Sequence, residues 1–353
     1  MGDVSTFDLA GAPDAPASAD AGAAAAENPG RLAILGTAVR SIAAGARGTA
    51  YTRFRQDPYY LLRYYLANLA ALIAGTAVLQ LGFGRLQAFH WPLLWLAGLL
   101  LFVLPSFDLI FLSGIAYLVL AALVQREVFA PVAFALVPAG MLAGTISAAL
   151  MHNAAHGNFR PRWSNRAWGE LCGLFQLTGL AGWTISHVIH HASPDDPEHD
   201  AHPPGTMRFR AYANAMGTQM KDNITAKFFE LHGRTPRNDA IWRTIVSLVP
   251  FTRYMRMAFI LLLLGPLAFL WLYVPFKIVN ALIYIDFNYR THRPTADGGV
   301  EVLNLNHNLW YKLLNAVSFG SYFHKNHHSK WNAFNPRTVQ ASDAPLITWR
   351  GER

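Results

Sequence analysis

The sequence predicts an all-α integral membrane protein: a transmembrane helical bundle of about four to six spans, with a cytoplasmic helical cap holding a dinuclear metal site. Three observations predict it. Of 353 residues, 53% are hydrophobic and only 14% are charged, whereas soluble domains carry roughly 25% charged residues. Several apolar runs are long enough to cross about 30 Å of hydrocarbon. Eight of the fourteen histidines fall into three short boxes, each beside an apolar segment.

The remaining composition narrows the class. The single Cys172 excludes a disulfide framework and any Cys-rich zinc or iron–sulfur site. The formal charge of +8 comes without a basic helix or RNA-binding motif, so nucleic acid is not an expected partner. Lys/Arg enrichment of cytoplasmic loops accounts for the charge. Arginine outnumbers lysine and alanine is abundant, a usage that points to a bacterial source and so to a bacterial inner membrane.

Residues 1–30 read as a disordered cytoplasmic tail, rich in Ala, Asp, Pro and Gly and lacking the apolar core of a signal peptide. Residues 31–340 read as one membrane domain and residues 341–353 as a C-terminal tail. Tyr59 to Gly84 is the first spanning run, and Arg40, Arg47, Arg53 and Arg55 before it put the N-terminus in the cytoplasm. The apolar stretch from His90 to Val124 is broken by "PSFD" at Pro105–Asp108, where Asp108 reads as a turn or cap residue. Phe129 to Leu150 then leads directly into "MHNAAH". With the N-terminus and the histidines on one side, an even number of crossings precedes His152. Four fit, over about 60–82, 88–104, 107–125 and 129–150; two also fit if part of 88–125 only dips into the membrane.

Beyond Gly157 the chain turns polar and carries ten Lys/Arg up to Arg243. Within this stretch "WGELCGLFQLTGLAGWTISH" reads as a Gly-interrupted interfacial helix. Arg208, Arg210, Lys221, Lys227, Arg234 and Arg237 read as a basic loop able to meet a carboxylate, CoA or acyl carrier protein, or simply as positive-inside charge. Met255 to Phe287 reads as a helical hairpin divided at Tyr273–Pro275. The tail from Asn288 adds eight Lys/Arg, against only Arg85, Arg126 and Lys277 in the outer connections. That asymmetry orients the chain with the histidines in the cytoplasm.

The boxes are "HNAAH" (His152, His156), "HVIHH" (His187, His190, His191) and "HKNHH" (His324, His327, His328). On a helix, spacings of three and four put side chains on one face. Each box can therefore aim its imidazoles at one point. Eight nitrogens exceed one ion's needs and suit two metals with four or five each. Soluble di-iron bundles use Glu with Glu-x-x-His pairs, but none of the seven Glu forms that pair here. A lone His-x-x-His is usually surface chance; three such boxes on one membrane side are not. A metal transporter is the reading from another class, but its ligands would lie within the spans, which are nearly empty of them.

The order H-x3-H, H-x2-H-H, H-x2-H-H between hydrophobic hairpins resembles the integral-membrane fatty acid desaturase and hydroxylase superfamily, from about Tyr59 to Trp331. The resemblance implies two iron ions, O2 as co-substrate and oxidation of a fatty acyl chain. Desaturation is the commonest outcome; hydroxylation and terminal-alkene-forming decarboxylation are the alternatives on the same centre. It also implies that His292 of "FNYRTH" is a ninth ligand and that Asn288 acts on metal through water. The residues after the second and third boxes, "ASPDDPEHD" and "SKWNAFNP", differ from continuations common in desaturases and leave the subfamily open. Asp195, Asp196, Glu198 and Asp200 could hold the far nitrogens of ligating histidines. His199, His202 and His307 read as supporting or structural groups. "HPPG" at His202 has no cytochrome b5-like domain around it, so electrons would come from a separate ferredoxin, rubredoxin or cytochrome b5-type donor. The substrate would be a fatty acid, acyl-CoA, acyl-ACP or acyl-lipid drawn from the bilayer.

Overall fold

The computed structural model describes residues 30–40, 48–83, 131–340 and 342–350. The expected spans over 88–104 and 107–125 lie outside these residues. Helix α1 spans Arg31–Arg40. Thr49 starts α2 (Ala50–Gln56), its hydroxyl accepting the Thr52 N–H at 3.2 Å. The Asp57 carboxylate then accepts the Tyr59 N–H at 2.9 Å and pairs with Arg63, which starts α3 (Tyr60–Phe83).

After the turn Pro131–Phe134 come α4 (Leu136–Ala155), α5 (Trp163–Gln176), α6 (Leu180–Ala192) and α7 (Phe209–His232). Helix α8 (Pro236–Ala268) passes through a π-helical turn, Phe269–Tyr273, into α9 (Val274–Thr291). Strand β1 (His292–Pro294) and strand β2 (Gly299–Val302) follow, then α10 (Leu309–Val317), α11 (His324–Ser329) and strand β3 (Leu346–Arg350).

Among the described residues three helical segments are long and apolar enough to cross a membrane: Tyr60–Gly82, Pro236–Gly265 and Phe269–Thr291. The span expected over 129–150 is not among them, because α4 ends in a turn that carries His152 and Asn153. On α3 the side chains of Ile73, Val78 and Leu81 face outward, as side chains bound for hydrocarbon do. Helix α4 lies against α9 and α8 against α3. The first contact is close: a Cβ at Gly140 would strike the Leu272 carbonyl, and one at Gly144 the Phe276 carbonyl. Asn280 uses the proximity, donating to the Gly144 carbonyl at 3.1 Å.

Several elements differ from the sequence reading. The break in the last hydrophobic block sits at Gly265, not at Tyr273–Pro275. Gly265 takes φ +75°, open to glycine without strain, and Pro266 after it lacks an N–H. Pro275 instead lies in the first turn of α9, where no N–H is required. The presumed single interfacial helix is two, α5 and α6, divided at Leu177 (φ 64°) and Gly179 (φ 79°). The basic stretch from residue 208 is not a loop, since Phe209–His232 is helix α7. A three-stranded antiparallel sheet, β1-β2-β3, joins the helices. Its third strand comes from the segment assigned to the C-terminal tail, with Leu346 paired to Val302 and Trp349 to Val300.

On the histidine side, Phe54 of α2, Leu61 and Leu62 of α3, Ile185 and Ile189 of α6 and Ile241 of α8 form one buried core. Burying each such side chain stabilises by about 1.5–3 kcal/mol. This core fixes the axis of α6, the helix that carries the second box.

Candidate metal centre

All four histidine-bearing segments end at the same place because each sits at an end of a packed element. His152 lies in the last turn of α4 and His156 caps it. His187, His190 and His191 fill the last two turns of α6. His292 is the first residue past α9 and opens β1. Helix α11 is little more than the third box itself, starting at His324.

The nine imidazoles divide into two groups in which the ligand nitrogens all lie within 4.8 Å of one another. One holds five: His152, His156, His187, His191 and His327. The other holds four: His190, His292, His324 and His328. Helical spacing makes the division. In the second box the i, i+4 pair His187 and His191 shares a face and joins the first group, while His190 turns to the second. In the third box the i, i+4 pair His324 and His328 joins the second group, while His327 turns to the first.

The Nε2 atoms stand at ligand spacing. His187 Nε2 is 2.8 Å from that of His156 and 3.1 Å from that of His191, which is 3.1 Å from that of His327. His324 Nε2 is 3.0 Å from that of His292 and 3.1 Å from that of His328. Two ligands bound at right angles, about 2.1 Å from one ion, stand about 3 Å apart.

Hydrogen bonding alone cannot satisfy these contacts. Each neutral Nε2 carries either one proton or one lone pair, so the row His156–His187–His191–His327 makes at most two full bonds from its three contacts. The row His292–His324–His328 makes one from two. In addition His152 Nε2 and His190 Nε2 are buried with no partner among the described residues. A cation accepting all these lone pairs removes the conflict. The donor set, all imidazole, fits iron, zinc or copper.

Electrostatics keeps the lone pairs free. Burial, followed by the neighbouring histidines, holds His156, His187, His191, His324, His327 and His328 well below the usual 6.5. Buried imidazoles are therefore neutral, the form a metal requires. His190 differs: burial lowers it, but the Asp200 carboxylate beside it outweighs burial and raises it.

Two carboxylates hold the far side of the four-nitrogen group. Both Asp200 oxygens lie 2.9 Å from His190 Nδ1, and Asp195 Oδ2 lies 2.7 Å from His292 Nδ1. Burial pushes the Asp195 carboxyl up, but His292 and the Thr348 hydroxyl bring it down to about 2, so it is charged at neutral pH. Asp200 is fixed in turn by the Asp195 N–H at 2.6 Å and the His202 N–H at 2.8 Å. Asn223 of α7 donates to its backbone carbonyl at 2.6 Å.

Other expected supports lie elsewhere. Asp196 accepts the N–H groups of Glu198 and His199 in a local turn and pairs with exposed His199. The acids nearest the ligands in sequence are not all near them in space, because this turn points Asp196 and Glu198 away and Asp195 and Asp200 inward. His307 is exposed and lies against Tyr311, away from the centre. Asn288 sits one turn before His292 and donates to the Tyr284 carbonyl at 2.8 Å.

One contributor was expected as a supporting group, and one escaped the sequence reading. His202 lies with its ring centroid 4.2 Å from that of His190 and forms a third group with His190 and Asp200. Thr348 of β3 donates to Asp195 Oδ2 at 2.5 Å. No local pattern marks Thr348; only the sheet, which returns the chain end to β2, brings it in.

Beside the five-nitrogen group lies a narrow apolar slot of about 20 Å³ between α4 and α9, also lined by Ser318, Ser321 and Tyr322. His152, Ala148 and Ala149 line one wall, Tyr284 and Phe287 the other.

A family model described as "Fatty acid desaturase" matches residues 127–331, more than half of the chain, and spans every histidine described above. Comparison with curated proteins and with solved structures returned no match.

Proposed function

Since the chain belongs to the fatty acid desaturase family, a family of desaturase- and hydroxylase-type oxidoreductases, we propose that it is an O2-dependent membrane desaturase whose nine histidines hold two iron ions. The observation that carries the reading is the gathering of nine buried or half-buried imidazoles into groups of five and four ligand nitrogens. Bound there, iron would supply activation of O2 against an unactivated C–H bond.

The protein's own residues do the rest. His152, His156, His187, His191 and His327 hold one ion, and His190, His292, His324 and His328 the other. Asp200 and Asp195 accept the Nδ1 protons of His190 and His292. This fixes the tautomer that turns Nε2 toward the metal and raises its basicity. Asn288 would act on the metal through water. The alkyl chain would approach the centre from the side of His152, where apolar residues of α4 and α9 border it. Each pair of hydrogens removed consumes one O2, two electrons and two protons and yields two waters.

The active side faces the cytoplasm of a bacterial inner membrane, following the Lys/Arg asymmetry. The electrons come from a separate ferredoxin, rubredoxin or cytochrome b5-type donor. The substrate is a fatty acyl chain that enters from the bilayer as the acid, acyl-CoA, acyl-ACP or acyl-lipid.

Product analysis tests the reading. Iron-loaded protein in lipid, given a ferredoxin reducing system and saturated acyl chains, yields acyl products two mass units lighter by mass spectrometry. Acyl chains left unchanged under those conditions contradict it; a hydroxylated or shortened chain keeps the centre and replaces the outcome.

A further inference from the structure

The segment after the third box, "SKWNAFNP", is pinned against the residues that follow the first box. Asn326 ties it down, donating to the Pro336 carbonyl at 3.0 Å and the Val339 carbonyl at 2.7 Å. Asn335 accepts the Arg337 N–H at 3.1 Å and starts a short 3-10 turn, Pro336–Thr338. Held this way, the Phe334 ring lies 5.3 Å from that of Phe159, centroid to centroid. The Trp331 ring lies 5.6 Å from that of His156, a member of the five-nitrogen group. Trp331 is half-buried, so its indole joins that histidine to the protein surface.

The two segments joined by these rings carry charge of one sign. Residues 151–169 and 318–342 hold Arg160, Arg162, Arg166, Lys325, Lys330 and Arg337 and no Asp or Glu. All but Lys325 are exposed, and among the described residues none of the six forms an ion pair with a carboxylate. Charge that served only to keep a loop in the cytoplasm would need no particular ring beside it. Here Lys330 adjoins Trp331, Arg160 adjoins Phe159 and Arg337 follows Phe334, so the cations border the aromatic contact with the histidine.

We propose that this face docks an acidic one-electron carrier protein, and that Trp331 passes the electrons to the five-nitrogen group through His156. This deepens the di-iron reading given above, on which it rests, by locating the electron donor. Each encounter moves one electron, oxidising one reduced carrier and lowering the charge of the site by one; no bond forms or breaks. Two encounters supply the two electrons that one O2 consumes beside a pair of hydrogens. Interfaces between electron-transfer partners are small, below about 1,200 Å². A few cations therefore set much of the encounter, which unlike charge makes fast and salt-dependent.

The test uses the full chain, iron-loaded and held in nanodiscs of neutral lipid, without acyl substrate or O2. The probe is an acidic [2Fe–2S] ferredoxin, and the control is the same ferredoxin with its carboxylates amidated. Wild-type protein binds the acidic form, releases it as salt shortens the screening length from roughly 10 Å toward 3 Å, and binds the amidated form more weakly. Lys330→Glu with Arg337→Glu weakens the acidic form by about 10- to 100-fold, as like charges then face each other. The two Gln substitutions weaken it less. Arg31→Glu with Arg243→Glu makes the same change in net charge at the groove between α1 and α8 and leaves binding at the wild-type value. At saturating carrier, Trp331→Leu takes its first electron more slowly than wild type in a stopped-flow mix, while dithionite reduces both at one rate.

Equal affinity of wild-type protein for acidic and amidated ferredoxin overturns the docking surface. So does an equal loss in the Arg31 and Arg243 control. Anionic lipid in the disc that blocks the acidic ferredoxin assigns the cations to headgroups and overturns it too. Wild-type reduction of Trp331→Leu by ferredoxin overturns the route through His156. Binding is read without turnover, so a failure to oxidise acyl chains is a separate result.

Discussion

The two nitrogen groups use the same spelling, His-x2-His-His, in opposite senses. The second box gives two imidazoles to the five-nitrogen group and one to the four; the third box gives one to the five and two to the four. Their surroundings differ more. The four-nitrogen group is backed by two buried carboxylates, Asp200 on His190 and Asp195 on His292. Among the described residues no carboxylate pairs with a histidine of the five-nitrogen group. That group instead touches the slot through His152. One half is braced from behind by carboxylates and the other borders the apolar slot. A dinuclear site built this way separates retention of metal from access to it.

Removing a ligand should have the largest effect. His191→Ala or His327→Ala takes a nitrogen from the five-nitrogen group, and the loss of activity should exceed the roughly 100-fold upper range for supporting residues. Metal analysis after dialysis should fall from two ions per chain toward one. If His327→Ala retains both ions, the division into groups is wrong.

Removing a brace comes next. Asp200→Asn and Asp195→Asn should each weaken metal binding by about 10- to 100-fold, with the loss confined to one of the two ions in a chelator competition series. Asp196→Asn, which changes only the turn at Glu198 and His199, should titrate like wild type. Equal effects of all three substitutions would erase the distinction between the two halves.

The helix contact that sets the distance between the halves is a further point of attack. Gly144→Leu forces α4 from α9, which carry His152 and His292 at their ends. Overpacking of this kind costs about 1–3 kcal/mol. It should lower the thermal midpoint and reduce the occupancy of both metals together, unlike the Asp substitutions.

The smallest effect is in pH. His156, His187, His191 and His327 sit well below the usual 6.5 in the folded protein. Below 6.5 the unfolded chain therefore binds more protons, and apoprotein stability falls as pH falls. His190, raised by Asp200, acts with the opposite sign: its contribution is full below 6.5 and fades as pH rises past its folded value. The first effect involves more groups, so the thermal midpoint of apoprotein should drop on acidification from pH 7 to 5. Asp200→Asn should make the drop steeper.

Much of this was legible in the sequence. The three boxes stand out because helical spacing is a local property, and the apolar runs around them are as plain. His292 came with the family pattern, and Asp195 and Asp200 with the acidic loop after the second box. The assignment of each imidazole to a group was not legible, since it depends on how α6 and α11 face each other. Asp196 and Asp200 look alike in "SPDDPEHD", and only the turn geometry decides which carboxylate points inward. Thr348 carries no signal at all. Its role comes from strand pairing, which is a tertiary fact. The break at Gly265 was open to reading, as "GP" is a strong stop, but "YVP" competed with it and a proline at a helix start looks the same as one at a helix end.

Metal stoichiometry tests the central claim most directly. Protein reconstituted with iron anaerobically, freed of loose metal and measured by mass spectrometry of the element should hold about two ions per chain. Asp200→Asn under chelator should hold about one. A wild-type value of one, or a single-step loss of both ions from Asp200→Asn, would contradict an account built on two separately braced groups.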